Sequence, residues 1–147
     1  MDRDNLAKVY DEHGPPIYRF LCGFLGNRED AADVVQGVFV KLAERGLAGI
    51  FDIRTYLWTA ARNEAHSMGR RPAAPYLEPR NGHPPEPGAR ESVERALGSL
   101  PDEQREVVIL HVFEGLTFQE IAARIDASPD TVASRFRYAR EKMREML

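Results

Sequence analysis

The chain is poor in the residues that usually mark enzymes, secreted proteins or membrane proteins. It carries one cysteine in 147 residues, Cys22, inside the apolar run Phe20-Leu21-Cys22. A lone thiol forms no disulfide within the chain, and an apolar setting favours a buried, inert one, which fits a reducing compartment. His13, His66, His83 and His111 show no metal-ligand spacing with one another or with Cys22, so neither a metal nor another cofactor is expected. Glycine-rich phosphate loops and nucleophile motifs are also missing. The acid pairs Glu29-Asp30 and Asp102-Glu103 stand where helices should start, so capping accounts for them, and no enzymatic activity is expected. The opening Met-Asp-Arg-Asp-Asn lacks a signal-peptide pattern, and no apolar run approaches spanning length. A cytoplasmic protein without membrane insertion is the expectation. Excess positive charge is lacking too: the net charge of −3 argues against a free-standing DNA binder that relies on phosphate attraction alone.

What the chain does have is distributed unevenly. Six of its ten prolines fall between Pro72 and Pro87, together with Asn81-Gly82 and Gly88. Proline cannot sit inside a helix without breaking it, so residues 72–88 read as a partly extended linker. They divide the chain into an N-terminal domain, 1–71, and a C-terminal one, 89–147. With no helix to couple them rigidly, the two are expected to share little interface.

Both halves have helical periodicity, and the predicted fold class is all-α. Leu6, Val9 and Tyr10 form a first apolar face, interrupted at Gly14-Pro15-Pro16 and resumed from Ile17 to Leu25. Asn27 is placed to cap a second helix whose buried stripe is Val34, Val35, Val38, Phe39 and Leu42. Asp52 is placed to cap a third, with Tyr56, Leu57, Ala60, Ala61, Ala65 and Met68 on one side. Val93 and Leu97 mark a short helix, and Pro101 opens another that runs through Phe113 and closes at Gly115.

The last segment is the most specific. Thr117-Phe118-Gln119-Glu120 has the form of a capping box, with Leu116 and Ile121 as its hydrophobic staple. Ile121, Ala122 and Ile125 make one apolar face, the chain turns at Asp126-Ala127-Ser128, and Ser128-Pro129 starts a longer helix. That helix buries Val132, Phe136, Ala139 and Met143 and presents Ser134, Arg137, Tyr138 and Glu141 outward, flanked by Arg135 and Arg140. A helical hairpin with a solvated basic face fits this pattern, and so does a DNA-binding helix-turn-helix. Charge favours the second: residues 131–147 hold five basic residues against Glu141 and Glu145, whereas residues 89–130 hold four basic and nine acidic ones.

Several segments together resemble one family. Asp30-Ala31-Ala32-Asp33-Val34-Val35-Gln36-Gly37-Val38-Phe39 resembles the region 2 helix of bacterial sigma factors, and Arg54 to Trp58 with Ala61-Arg62-Asn63 resembles their promoter-opening helix. Leu100 to Arg105, Phe113 to Thr117, Glu120-Ile121-Ala122 and Thr131 to Arg135 resemble region 4. Two helical modules and a linker match the extracytoplasmic-function group. The resemblance implies a subunit that binds core RNA polymerase and promoter DNA and does no chemistry itself, with an anti-sigma protein as a further partner. On residues 28–45 it implies a polymerase contact at Asp33, Gln36, Gly37, Val40 and Lys41, all on the outward side of the apolar stripe. Gly37 departs from the carboxylate that the family usually has there.

For promoter opening, cations and flat side chains are needed, and the outer side of the third helix offers Arg54, Trp58, Arg62, Asn63 and His66, with Arg70 and Arg71 at its end. Trp58 reads either as a base-stacking surface or as core. For upstream recognition the candidates are Thr131, Ser134, Arg135, Arg137 and Tyr138. Two other readings remain open, a helix-turn-helix regulator that binds DNA without polymerase and a protein-only adaptor.

Overall fold

The computed structural model describes residues 1–68 and 88–147, and these residues form seven α-helices and one π-helical turn. In the N-terminal half these are α1 (Arg3–Leu25), α2 (Arg28–Arg45) and α3 (Ile53–Ser67). The C-terminal half has α4 (Ala89–Gly98), α5 (Asp102–Val108), the π turn Ile109–Phe113, α6 (Phe118–Ile125) and α7 (Pro129–Met146). The expected linker, apart from Gly88, lies outside the described residues, as do Arg70 and Arg71.

The helix ends follow local chemistry. Asn27 Oδ1 accepts from the amides of Glu29 and Asp30, and Asp52 accepts from those of Arg54 and Thr55. Thr117 and Glu120 complete a reciprocal capping box, and Ser128 caps α7 at the Thr131 amide. Each satisfies amides that a helix start leaves without an intrahelical partner.

α1 departs from expectation, since it runs unbroken through Pro15 and Pro16. The carbonyls that lose a partner belong to the exposed residues Asp11 and Glu12, which water can reach. Apolar contacts on both sides hold the helix together. Tyr10 packs edge-on against Phe39 of α2 at 5.1 Å, and Ile17, Phe20, Leu21 and Phe24 are buried beyond the prolines.

The helix opened by Pro101 widens at its C-terminal end, where the Glu114 amide donates to the Ile109 carbonyl, five residues back. The turn brings His111 between Phe118 and Phe136, with ring centroids at 4.6 and 4.8 Å. Its Nδ1 lies 2.7 Å from the Leu116 carbonyl, which can only accept, so Nδ1 carries the proton.

The two halves share one core, contrary to the sequence expectation of little interface. α3 packs on α6, and α1 packs on α5 and the π turn. A single cluster of buried side chains runs from Ile17, Phe20 and Trp58 to Val107, Leu110, Ile121 and Val132. A smaller cluster of Leu97, Leu100, Val108 and Ala139 ties α4 and α5 to α7. Periodicity marks which face of a helix is apolar but not which other helix it meets, and a proline-rich stretch in the sequence does not prevent the apolar faces on either side of it from finding each other.

Candidate functional site

On α2 the buried residues Ala31, Val34, Val35, Val38, Phe39 and Leu42 fix the helix rotation. That rotation leaves Asp33, Gln36, Gly37, Val40 and Lys41 exposed on one continuous face. Val40 is 48% exposed, an apolar group among polar ones, which is the mixed character of a protein interface. A Cβ built on Gly37 would meet nothing within 4 Å among the described residues, so none of them requires glycine there. On one side of this face a groove of about 730 Å³ runs between α1 and α2, walled by Leu6, Tyr10, Tyr18, Val35 and Phe39.

α3 differs from expectation at its centre. Leu57, Ala61 and Ala65 are buried against the N-terminal core, as the sequence predicts. Trp58 is buried as well, at 5% exposure, with its ring 5.5 Å from Phe20, so its placement on the outer side is corrected. Arg62 and His66 follow Trp58 at four-residue steps, and all three face the C-terminal half. Arg62 Nε and His66 Nε2 donate to the same oxygen of Glu106, at 2.7 and 2.9 Å. Glu106 itself is fully buried. Arg54 and Asn63 are exposed.

Further pairs join the same two halves. Arg19 donates from Nε and Nη2 to the two carboxylate oxygens of Glu114, each at 3.3 Å. Arg105, fully buried, donates to the Phe24 carbonyl at 3.2 Å and lies over the Phe24 ring. The Arg124 guanidinium sits over Trp58. Burial, and then the charge of Arg54, push Arg124 below its ordinary pKa, while Glu120 and Asp52 pull it the other way.

The loop before α3 holds a residue that the sequence reading did not single out. Phe51 is fully exposed between Gly49, at φ +81°, and the cap Asp52. Arg45 donates to the carbonyls of Gly46 and Ala48 and lies over the Tyr56 ring, which fixes the loop beside α3. An aromatic residue directly before a helix cap, within an apolar loop, is the available sequence signal. Glu106 also went unnoticed, as a charge at the head of the apolar run Val107-Val108-Ile109-Leu110.

In the helix-turn-helix, α6 buries Ile121, Ala122 and Ile125, and Asp126 makes the turn at φ 54°, the only described non-glycine residue with positive φ. On α7, Val132 and Ala139 are buried while Phe136 and Met143 are half-buried. Arg137 and Tyr138 are exposed neighbours, the guanidinium 5.2 Å from the ring centre. Thr131 and Ser134 are half-buried at the start of the helix. Arg135 reaches back to Glu103 at 3.6 Å, so it belongs partly to the contact with α5. Among the described residues no helix is long and apolar enough to cross a membrane.

Two family descriptions match the chain: Sigma-70 region 2 over residues 9–73 and Sigma-70 region 4 over residues 90–143. The chain is 32% identical to the ECF RNA polymerase sigma-E factor of Escherichia coli, over 76% of this chain and 71% of that protein. It is 29% identical to the ECF RNA polymerase sigma factor SigE of Mycolicibacterium smegmatis, over 92% of this chain but only 59% of that protein. In fold it resembles the sigma factor RpoE of Bartonella quintana, solved in complex with the anti-sigma factor NepR. The TM-score is 0.65 at 24% identity, over 98% of this chain and 94% of that one.

Proposed function

This chain belongs to the extracytoplasmic-function group of RNA polymerase sigma factors, and from that premise we propose that it binds core polymerase and directs promoter recognition and opening. In this reading the outer face of α2, with Asp33, Gln36, Gly37, Val40 and Lys41, docks on the polymerase. Arg54, Asn63 and the loop around Phe51 meet the promoter where it opens, with Trp58, Arg62 and His66 joining once α5 and α6 move away. Arg70 and Arg71, which follow α3 in the sequence, are further cations assigned to promoter DNA in this reading. α7 reads the upstream element through Thr131, Ser134, Arg137 and Tyr138, with Arg135 beside them.

The observation that carries the reading is the capped turn from α6 to α7, which presents Arg137 and Tyr138 on an exposed helix face. An arginine at that place has the reach and the two parallel donors to read a guanine edge. The chain does no chemistry in this scheme; it positions a polymerase on DNA and acts in the cytoplasm, where transcription takes place. An anti-sigma protein is a further proposed partner, for which the apolar groove between α1 and α2 offers a docking surface.

The test is a gel shift on promoter DNA with and without core polymerase, followed by transcript mapping. Specific binding that requires core, with a defined start site, is the expected result. Equally specific binding by the bare chain would instead identify a helix-turn-helix regulator that works alone.

A further inference from the structure

A crevice of about 300 Å³ opens among α1, α3 and α6, and three arginines line it, Arg19, Arg54 and Arg124. Three glutamates line it too, so the charges balance in number but not in availability. Glu114 gives both oxygens to Arg19, at 3.3 Å each. Glu120 Oε1 is taken by the Thr117 amide, as half of the capping box. Glu12 stands exposed at the rim. Arg54 and Arg124 are the cations left over. Arg54 makes no side-chain hydrogen bond among the described residues. Arg124 gives Nη1 to the Glu120 carbonyl at 3.2 Å and its face to Trp58, and no described residue accepts from its Nη2. Burial holds the Arg124 pKa below its ordinary value, and repulsion by Arg54 comes next, ahead of the opposing charges of Glu120 and Asp52. An anion between the two guanidiniums removes that repulsion and gives each an acceptor.

We propose that this crevice binds a small phosphate-bearing ligand, held between Arg54 of α3 and Arg124 of α6 with Pro16 and Leu116 as apolar walls. A planar carboxylate satisfies one guanidinium fork, as Glu114 does for Arg19. A phosphate turns oxygens in several directions and serves two forks at once. The volume lies at the small end of ligand pockets. It suits inorganic phosphate, pyrophosphate or a compact phosphomonoester and leaves no room for a nucleic-acid duplex. Because the two arginines come from different halves, only the assembled arrangement offers the site, and the ligand stabilises the fold by mass action. The site lies beyond promoter reading and requires neither DNA nor polymerase.

The experiment follows thermal unfolding of the full chain, with no polymerase, in inorganic phosphate, pyrophosphate, acetate or a short single-stranded oligonucleotide at matched ionic strength. Calorimetric titration gives the pyrophosphate affinity. Pyrophosphate at roughly a hundredfold excess over its Kd is expected to raise the wild-type Tm by about 5–10 °C, and acetate to leave it unchanged. Arg54→Gln and Arg124→Gln should each weaken pyrophosphate binding roughly tenfold to a hundredfold. Arg144→Gln, which lines a different groove, should bind as the parent does and so controls for general attraction to surface arginines. Should Arg124→Gln fail to fold, Arg54→Gln decides, since its side chain is exposed and makes no hydrogen bond that folding depends on. Absence of pyrophosphate binding overturns the proposal, as does equal stabilisation by acetate or stabilisation by the oligonucleotide alone. Wild-type affinity in Arg54→Gln, or an equal loss in Arg144→Gln, overturns it as well. None of these outcomes bears on core-dependent promoter binding, which the gel shift tests separately.

Discussion

The guanidinium of Arg124, on α6, lies 5.6 Å from the centre of the Trp58 ring, on α3. The contact crosses the boundary between the two halves and stacks a cation on the only tryptophan of the chain. It also leaves Arg124 Nε buried without a hydrogen-bond partner among the described residues, so the ring face is what compensates the lost hydration on that side.

Trp58 therefore contributes to stability. Trp58→Ala is expected to lower unfolding free energy by about 3–5 kcal/mol, since it opens a large cavity beside Phe20. Trp58→Phe keeps much of the volume and should cost less than about 1.5 kcal/mol. Chemical denaturation of both variants measures this. An alanine variant as stable as the parent would return Trp58 to the solvent-facing surface.

What the sequence made legible was local. Asn27, Asp52, Thr117 with Glu120, and Ser128 all cap the helices expected of them, because a cap is decided by the three or four residues that follow it. The apolar stripe of α2 was equally readable, and with it the outward position of Asp33, Gln36, Val40 and Lys41. α3 was only half readable because it is buried on two sides. Leu57, Ala61 and Ala65 give the obvious stripe, whereas Trp58, Arg62 and His66 form a second one that looks amphipathic and solvated. Only the spatial arrival of Glu106, some forty residues further on, turns it inward. The Pro15-Pro16 pair misled for the opposite reason: a strong local signal was overridden by packing on both sides of it.

Gly37 gives a test that separates folding from docking. Glycine inside a helix costs roughly 0.5–1 kcal/mol against alanine, and an added Cβ here meets no described residue within 4 Å. Gly37→Ala should therefore raise stability by about that amount. Charge reversal at Asp33 or Lys41 should leave stability within about 0.5 kcal/mol of wild type and weaken binding to core polymerase. Binding measured for all three variants against thermal melts is the check. Unchanged affinity in both charge reversals would place the docking surface elsewhere.

Acid should act through the caps. Asp52 is held below the ordinary carboxylate range first by the Thr55 hydroxyl, then by the amides of Thr55 and Arg54. Glu120 is held down by the Thr117 amide and side chain. A folded-state pKa below the unfolded one gives stability that is complete above the ordinary range and is lost as pH falls through the depressed value. Wild-type stability should thus fall more steeply below about pH 4 than that of Asp52→Asn with Glu120→Gln, in which neutral side chains still cap. Urea denaturation between pH 3 and pH 7 measures both slopes, and parallel acid limbs would show that other carboxylates control the loss.

The final expectation concerns sequence reading by α7. Ser134, Arg137, Tyr138 and Glu141 follow one another at i, i+3, i+4 and i+7, opposite the buried Val132 and Ala139. Arg137 is exposed and rests against the Tyr138 ring, which limits its rotamers and aims the guanidinium away from the core. A preorganised arginine loses less freedom when it binds a base edge. Arg137→Ala is expected to weaken promoter binding by the polymerase complex by about 1–3 kcal/mol and to relax preference at one upstream position. Arg144, two turns further from the start of the helix, should affect all promoters equally or none. Binding to a panel of single-base promoter variants distinguishes these outcomes. A uniform loss across the panel for the Arg137 variant would mean that the residue holds a phosphate, and base reading would then pass to Ser134 and Tyr138.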